Sequence, residues 1–585
     1  MLNSVLKSLC IVEKGRLRYA LIIAICFIGG FILLPNLGGP SFWQDEAETA
    51  LLARSINNHG YPSAWDGRNL ITQLSGNDSG PSHIWSFTPW LPFYIVAGSF
   101  RLLGETNFAG RLPFVIFGIL ALFTLYLFVY KTSRDILLAA LSSLLLLLNM
   151  QFILHTRQCK YYSLLFFVPP LLYLAYTKIH KHVVYFILFT TCIIVLFYTN
   201  YLSMFLAIAG ITIHTFAVRR YKKDVLLFVL AGIISLAFTI PFFFVGDITV
   251  TSNLISRFPT PVEYIDKLAR HIWYFNNMVF GLILCVPLLL FAKKGYFNQY
   301  EMRLLKLLLW IIFPAWLFLP LFNQDVFRYN LHLIPAFAAL TALLVVGFFR
   351  WSRKAGVVFL LLILMTNISS NLPGIIVNIA IKASGIKLEE KTDWFVKKFK
   401  KDERKTRMWL GSFDKELKML TLRRILTHQV LKAEYAAYVN ELRGRYEDAA
   451  MSTVNFLREH AKDGDIVYIN FDQLVLQFYL PNLTYGYKIL PQNLFISKKS
   501  PLPPYITSLE GTRWYIFRDV EMNLSPYLTD EDFKAQFKGR LTPYELGVNA
   551  LYWDLTWPQR YHQYINKMLW KDETGYNNVT VYRID

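Results

Sequence analysis

Charge is scarce in this chain. Asp, Glu, Lys and Arg supply 17% of its 585 residues, where a soluble domain carries about 25%. Cysteine is scarce too. Five residues in 585 cannot staple a secreted disulfide scaffold, three of them (Cys26, Cys192, Cys285) lie in apolar runs, and none follows Ile376. The sequence has no P-loop, no Gly-rich dinucleotide turn and no His/Cys cluster at zinc spacing. It has no repeat of fixed period and no long low-complexity tract. Without a nucleotide site, any reaction outside the membrane must draw on a donor that already carries its energy.

Apolar surface is what the chain has in plenty. Hydrophobic residues make up 54%, aromatics 16%, and the mean hydropathy is +0.35. So much apolar side chain excludes intrinsic disorder. A helix crossing the hydrocarbon core needs about 20 apolar residues. Runs of that kind are expected near 19–35, 111–130, 136–154, 162–177, 183–199, 201–218, 225–245, 272–292, 304–322, 331–349 and 355–377, about eleven spans.

The net charge of +20 follows those spans. Lys14, Arg16 and Arg18, then Lys131 and Arg134, Lys178 and Lys181, Arg219 to Lys223, Lys293 and Lys294, and Arg350 to Lys354 occupy alternate loops. This is the positive-inside pattern of a polytopic membrane protein, not a nucleic-acid footprint. It sets the N-terminus in the cytoplasm, makes the first span a retained anchor rather than a cleaved signal, and places the region 36–110 and the C-terminus outside. Within that first external loop, Trp90 to Ala97 is apolar, short and Pro-interrupted, as suits a helix lying in the interface.

Character changes after Ile376. Residues 381–440 read as a basic, helical interfacial connector. Residues 441–585 read as an external α/β domain, with a helix over Tyr446–Ala461, an Asp463-Gly464-Asp465 turn, and strands at Ile466–Ile469, Trp514–Phe517 and Val579–Tyr582. Residues 1–380, with the loop 36–110, make the membrane domain.

The densest local pattern is Phe42-Trp43-Gln44-Asp45-Glu46-Ala47-Glu48, with helical periodicity from Asp45 to Ile56 that takes in Arg54, followed by Gly60-Tyr61-Pro62. Acids at a helix start also favour the macrodipole. The functional reading is a carboxylate at the membrane boundary acting as general base.

The order of anchor helix, Asp-Glu-Ala-x-x-Ala-x-x-Ala-Arg, Gly-x-Pro, interfacial helix and Gly110-Arg111-Leu112-Pro113 resembles the GT-C membrane glycosyltransferases, in the protein mannosyltransferase and aminoarabinose (lipid A) transferase branch. Arg157 to Ser163, Tyr198 to Tyr201 and Arg328-Tyr329 are later echoes. The resemblance implies a polyprenyl-phosphate sugar donor, an acceptor outside the cytoplasm and the envelope of a bacterial inner membrane. It carries the catalytic base onto Asp45, with Glu46 orienting substrate or tuning its neighbour. A single base suits inversion, whereas retention would want a second carboxylate as nucleophile.

The leaving phosphate needs cations near lipid. Arg157, Lys160 and Arg328 fall at external span ends and are the candidates, beside Tyr161, Tyr329, Arg54 and Arg111. Each has a plainer reading. The cations can snorkel, the tyrosines can belong to an interfacial belt, Arg54 can pair with an acid, and Arg111 can anchor its span. No cofactor is demanded; Asp45 and Glu46 could hold a divalent metal ion, but two carboxylates are too few to specify one. Thr88-Pro89-Trp90 stands where aminoarabinose transferases have Lys-Pro-Pro, and Trp-Trp-Asp of oligosaccharyltransferases is absent. A transporter or flippase for a lipid-linked sugar, and a non-catalytic scaffold, are the competing classes.

Overall fold

The computed structural model describes residues 2–73, 78–79, 82–218, 222–245, 258–281, 284–322, 327–364, 438, 442–444, 448–469, 473–486, 509–517, 530–537, 539–549 and 578–585. The first helix, α1 (Leu2–Leu33), leads into two helices outside the bundle, α2 (Gln44–His59) and α3 (Leu91–Leu103). The bundle continues with α4 (Asn107–Ser133), α5 (Ile136–Leu147), α6 (Met150–Thr156), α7 (Tyr162–Thr177), α8 (Val183–Thr199), α9 (Tyr201–Ala217) and α10 (Lys222–Val245). It closes with α11 (Pro261–Met278), α12 (Cys285–Lys293), α13 (Gln299–Phe318), a 3-10 turn at Phe327–Leu333, α14 (Ile334–Trp351) and α15 (Arg353–Ile363).

Backbone polar groups cannot be left open in hydrocarbon, so these apolar runs satisfy themselves as helices and cap their ends with polar side chains. Thr106 accepts from Ala109 N, Asp135 from Leu138 N, and Asn200 from Ser203 N. Among the described residues, four helices are long and apolar enough to cross a membrane, at Asn107–Ser133, Lys223–Phe242, Gln299–Leu321 and Arg328–Trp351. A fifth span arises if α5 and α6, bent by 64°, count as one. The anchor at Arg18–Leu33 and α3, α7, α8 and α9 are shorter apolar helices.

The single run expected at 272–292 is instead broken between α11 and α12, because α11 begins outside the run, at Pro261, with the polar Thr260–Glu263 capping box. More than half of the run expected at 355–377, and nearly all of the basic connector 381–440, lie outside the described residues.

The two ends of the bundle differ chemically. At 27 residues, α4 is about 40 Å long. Arg111 sits in its second turn and Lys131 in its last. Arg18 stacks on Tyr130 at the Lys131 end, and Arg350 bonds Glu301 there, within reach of Asp135. The Arg18, Lys131 and Arg350 positions of the alternate basic loops therefore gather at one end, and α2 packs at the other.

The C-terminal part adds α16 (Ala449–His460), α17 (Gln473–Tyr479), α18 (Asp530–Gln536) and a five-stranded sheet. Its strands are β1 (Ile466–Ile469), β2 (Thr484–Gly486), β3 (Thr512–Phe517), β4 (Leu541–Asn549) and β5 (Asn578–Ile584), in the order β2-β1-β3-β5-β4. β1 runs parallel to β2 and β3, whereas β5 is antiparallel to β3 and β4. Asp463 to Asp465 is the expected turn: Asp465 accepts from Lys462 N at 3.0 Å and Trp514 Nε1 at 2.9 Å, and Gly464 has φ 82°.

One apolar core unites α2 and α3 with this sheet. Ala47, Leu51, Phe93 and Phe100 belong to the same cluster as Val467, Leu474, Phe478 and Ile516. Polar contacts reinforce it. Ser41 N and Oγ donate to Asp448 at 2.8 and 3.0 Å, Leu474 N donates to Gln44 Oε1, and Asn69 bonds Leu483 O. The C-terminal unit thus grips the start of α2 from outside.

Candidate active site

Asp45 and Glu46 are adjacent on a helix, about 100° apart in direction, and the fold uses them differently. Glu46 is fully buried. It accepts from Arg111 Nε at 2.8 Å and Nη2 at 2.7 Å, from Cys159 N at 2.7 Å and from Trp43 N at 3.3 Å. Arg111 spends its other protons on the carbonyls of Leu37, Pro40 and Ser41. This pair clamps the entry of α2, the start of α4 and the loop before α7 together. Gly110 permits the approach: a Cβ there would stand 2.7 Å from the Phe42 ring. Both residues, expected beside the substrate, are consumed by each other.

Asp45 faces another set. Its Oδ2 accepts from Arg328 Nη1 at 2.7 Å, and its Oδ1 from Gln73 Nε2 at 3.1 Å. Lys160 Nζ donates to the Asp45 carbonyl at 3.1 Å and to Glu48 Oε1 at 2.7 Å. The Gln73 amide also donates to Glu48 Oε2. Two carboxylates and two cations are therefore knitted around one amide, all on the boundary between α2, the loop at 157–161 and the turn before α14.

The charges of this cluster follow from its burial. Desolvation pushes Asp45 up, but the charges of Lys160 and Arg328, with bonds from Gln73 and Arg328, outweigh it and hold the carboxyl below its ordinary value. Desolvation pushes Glu48 up to about 7, opposed by Lys160 and helped by Asp45 and Asp78. Burial lowers Lys160, yet Glu48 and Asp45 carry it up to about 12. At neutral pH Asp45 is ionised and Lys160 charged, while burial makes Glu48 hold its proton well above the ordinary carboxylate range.

Arg328 keeps open valence. Among the described residues its Nε is buried and makes no hydrogen bond, and the guanidinium lies 5.7 Å from the Tyr329 ring. Tyr161 is buried against Tyr162, with ring centroids 4.8 Å apart, and both rings act electrostatically on Arg328.

Two predicted cations lie elsewhere. Arg157 Nη1 donates to Leu33 O at 2.7 Å and Pro35 O at 2.8 Å, and its guanidinium faces the Tyr438 ring, so it ties down the end of α1. Arg54 is nine residues along α2 from Asp45, about 14 Å away and half a turn round. It pairs with Glu105 at 2.6 Å and bonds Phe478 O at 3.1 Å. His83 stacks on Trp65, consistent with a structural role. Sequence reasoning missed Glu48 and Gln73. Glu48 stands at i+3 from Asp45, the spacing that shares a helix face. Gln73 carries no such signal, because a loop brings it in. Among the described residues, no group of three or more His, Cys, Asp or Glu is placed to hold a metal.

No family model and no curated protein matches this sequence. Solved structures do. The ArnT of Cupriavidus metallidurans bound to undecaprenyl phosphate aligns over 97% of this chain and 98% of its own, with TM-score 0.53 and 13% identity. Its apo state aligns over 98% of both chains, with TM-score 0.53 and 15% identity. The fold is the GT-C fold. The oligosaccharyltransferase AglB from Archaeoglobus fulgidus, in complex with an inhibitory peptide and a dolichol-phosphate, is a more distant likeness, with TM-score 0.41 and 12% identity over 86% of this chain and 70% of its own. At such identities the GT-C likeness is one of architecture, and the chemistry rests on the side chains above.

Proposed function

We propose that this GT-C protein transfers a sugar, with inversion, from a polyprenyl-phosphate donor to an acceptor hydroxyl or amine outside the cytoplasm, in a bacterial inner membrane. The observation that carries this reading is the Asp45–Arg328 contact, in which one guanidinium touches the carboxylate and, among the described residues, leaves its Nε without a hydrogen bond.

That geometry supports the following step. The acceptor oxygen or nitrogen attacks the anomeric carbon while its proton passes to Asp45. The bond from the anomeric carbon to the phosphate oxygen breaks on the opposite face, and its electron pair leaves with the polyprenyl phosphate. The free edge of Arg328 meets that phosphate, in an environment where fixed charge is worth more than in water. Lys160, already engaged by Glu48, keeps Asp45 ionised rather than serving as a free phosphate ligand. The ArnT of similar fold holds undecaprenyl phosphate, which supports a lipid-phosphate donor. The basic end of the bundle then faces the cytoplasm and the α2 end faces out.

The test is a panel of polyprenyl-phosphate sugars offered to the purified protein with membrane extract as acceptor, the product read by mass spectrometry. Asp45→Asn should lower transfer by about 100-fold or more while leaving insertion intact, since it removes a general base. Unchanged turnover by that variant would overturn the assignment.

A further inference from the structure

A cavity of about 470 Å³ lies on the side of α2 away from Asp45. Its wall is made by Arg54, Glu105, Asn107, Phe108, Phe478 and Tyr479, among others. The volume is that of a small-molecule site. The wall is held in place from behind. Tyr479 OH donates to Asn107 Oδ1 at 2.6 Å and accepts from Phe42 N at 2.8 Å. Asn107 Nδ2 donates to Pro40 O at 3.0 Å. Arg54 rests on the Phe478 ring at 4.6 Å and pairs with Glu105 at 2.6 Å. That pair is partly open, with 21% and 37% of the two side chains exposed.

The position of the cavity is as informative as its wall. Asn107 begins α4, a helix able to cross the membrane, so the cavity stands where that helix leaves the bilayer. Beside it the surface is apolar: Leu102 is 84% exposed, Leu103 51% and Phe108 42%. Three large apolar side chains next to a partly exposed ion pair make a surface for a molecule with both a tail and a dipolar head.

We infer that this cavity binds the headgroup of an outer-leaflet phospholipid carrying both phosphate and ammonium, as in phosphatidylethanolamine. The phosphate meets Arg54, the ammonium meets Glu105, and the acyl chains lie over Leu102, Leu103 and Phe108. Paired opposite charges in the wall favour a zwitterion over a net anion, because Glu105 repels a head that brings only negative charge. The lipid touches α2 through Arg54 and, through Tyr479, the Phe42 backbone that leads into α2, so the membrane steadies the helix that carries Asp45. This inference goes beyond the transfer reaction and stands without it.

The test reads lipid, not turnover. The full-length protein is exchanged from detergent into mixtures of phosphatidylethanolamine and phosphatidylglycerol, and retained lipid is counted by native mass spectrometry, with soluble glycerophosphoethanolamine as a competitor. Wild type should retain one phosphatidylethanolamine in preference to phosphatidylglycerol. Glu105→Gln should cut that preference by about tenfold, the loss expected for one charge-assisted hydrogen bond. Weak competition by the soluble headgroup would place part of the affinity in the acyl chains, as inferred. Equal retention of both lipids by wild type, an unchanged preference in Glu105→Gln, or full displacement by the soluble headgroup would overturn the proposal. Circular dichroism of Glu105→Gln confirms that any loss is not unfolding.

Discussion

Glu48 shares a helix face with Asp45 but lives under the opposite protonation regime. Burial raises it to about 7 from an ordinary 4.5, while cations depress Asp45. Between those two Glu48 values the native protein keeps a proton that the unfolded chain has released, so stability falls as pH rises through that window. Asp45 acts in the other sense: its contribution is present above the ordinary 3.8 and is lost as pH falls below it. Glu48→Gln keeps an oxygen for Lys160 but no longer titrates. Its melting temperature should therefore vary less between pH 4.5 and 7 than that of wild type. Parallel melting curves of the two proteins across that range would show that Glu48 does not titrate in the fold.

The Glu46–Arg111 clamp belongs to the scale of elements, since it fastens α2, α4 and the loop before α7 at one point. A buried pair with several backbone partners is costly to break from one side only. Arg111→Met should destabilise the protein by about 3–5 kcal/mol, because Glu46 is left as a buried unpaired charge. Denaturant titration of detergent-solubilised protein checks the magnitude, and a loss well under 1 kcal/mol would mean that water reaches Glu46. The clamp also marks where the sequence was legible and where it was not. Long apolar runs announced α4, α7, α8 and α9, because a helix packed among lipid and other apolar helices must itself be apolar along its length. The break between α11 and α12 was hidden, since an amphipathic helix capped at Thr260 can lead into an apolar run without changing its average. The strands β1, β3 and β5 were visible as short apolar runs between turns. β2 has three residues and β4 is a largely exposed edge, so neither carried such a run. Asp45 could be named from the Asp-Glu motif and the resemblance it carries, and Lys160 and Arg328 from their place at span ends. Which of the remaining arginines face Asp45 depended on helix rotation and loop closure, which spacing alone does not encode.

The whole molecule is organised around a shared core. Because Leu51, Phe93 and Phe100 pack in one cluster with Val467, Leu474 and Phe478, the external loop and the C-terminal unit stabilise each other. Truncation before Tyr438 should leave the membrane helices inserted yet make the segment from Ser41 to Gly104 sensitive to protease, with transfer lost. Limited proteolysis followed by mass mapping checks this, and a resistant, active truncated protein would contradict the shared core.

The contact between Asp45 and Arg328 closes a stretch of 283 residues. Contacts so distant along the chain form late, because the entropy of closing the intervening loop must be met first. During synthesis the nascent protein therefore holds Asp45 with Gln73 and Lys160 but without its guanidinium partner until the chain has reached Arg328. On the function proposed above, the site is complete only once the chain has reached Arg328 and α14, so a chain released earlier lacks the guanidinium that would receive a lipid-borne phosphate.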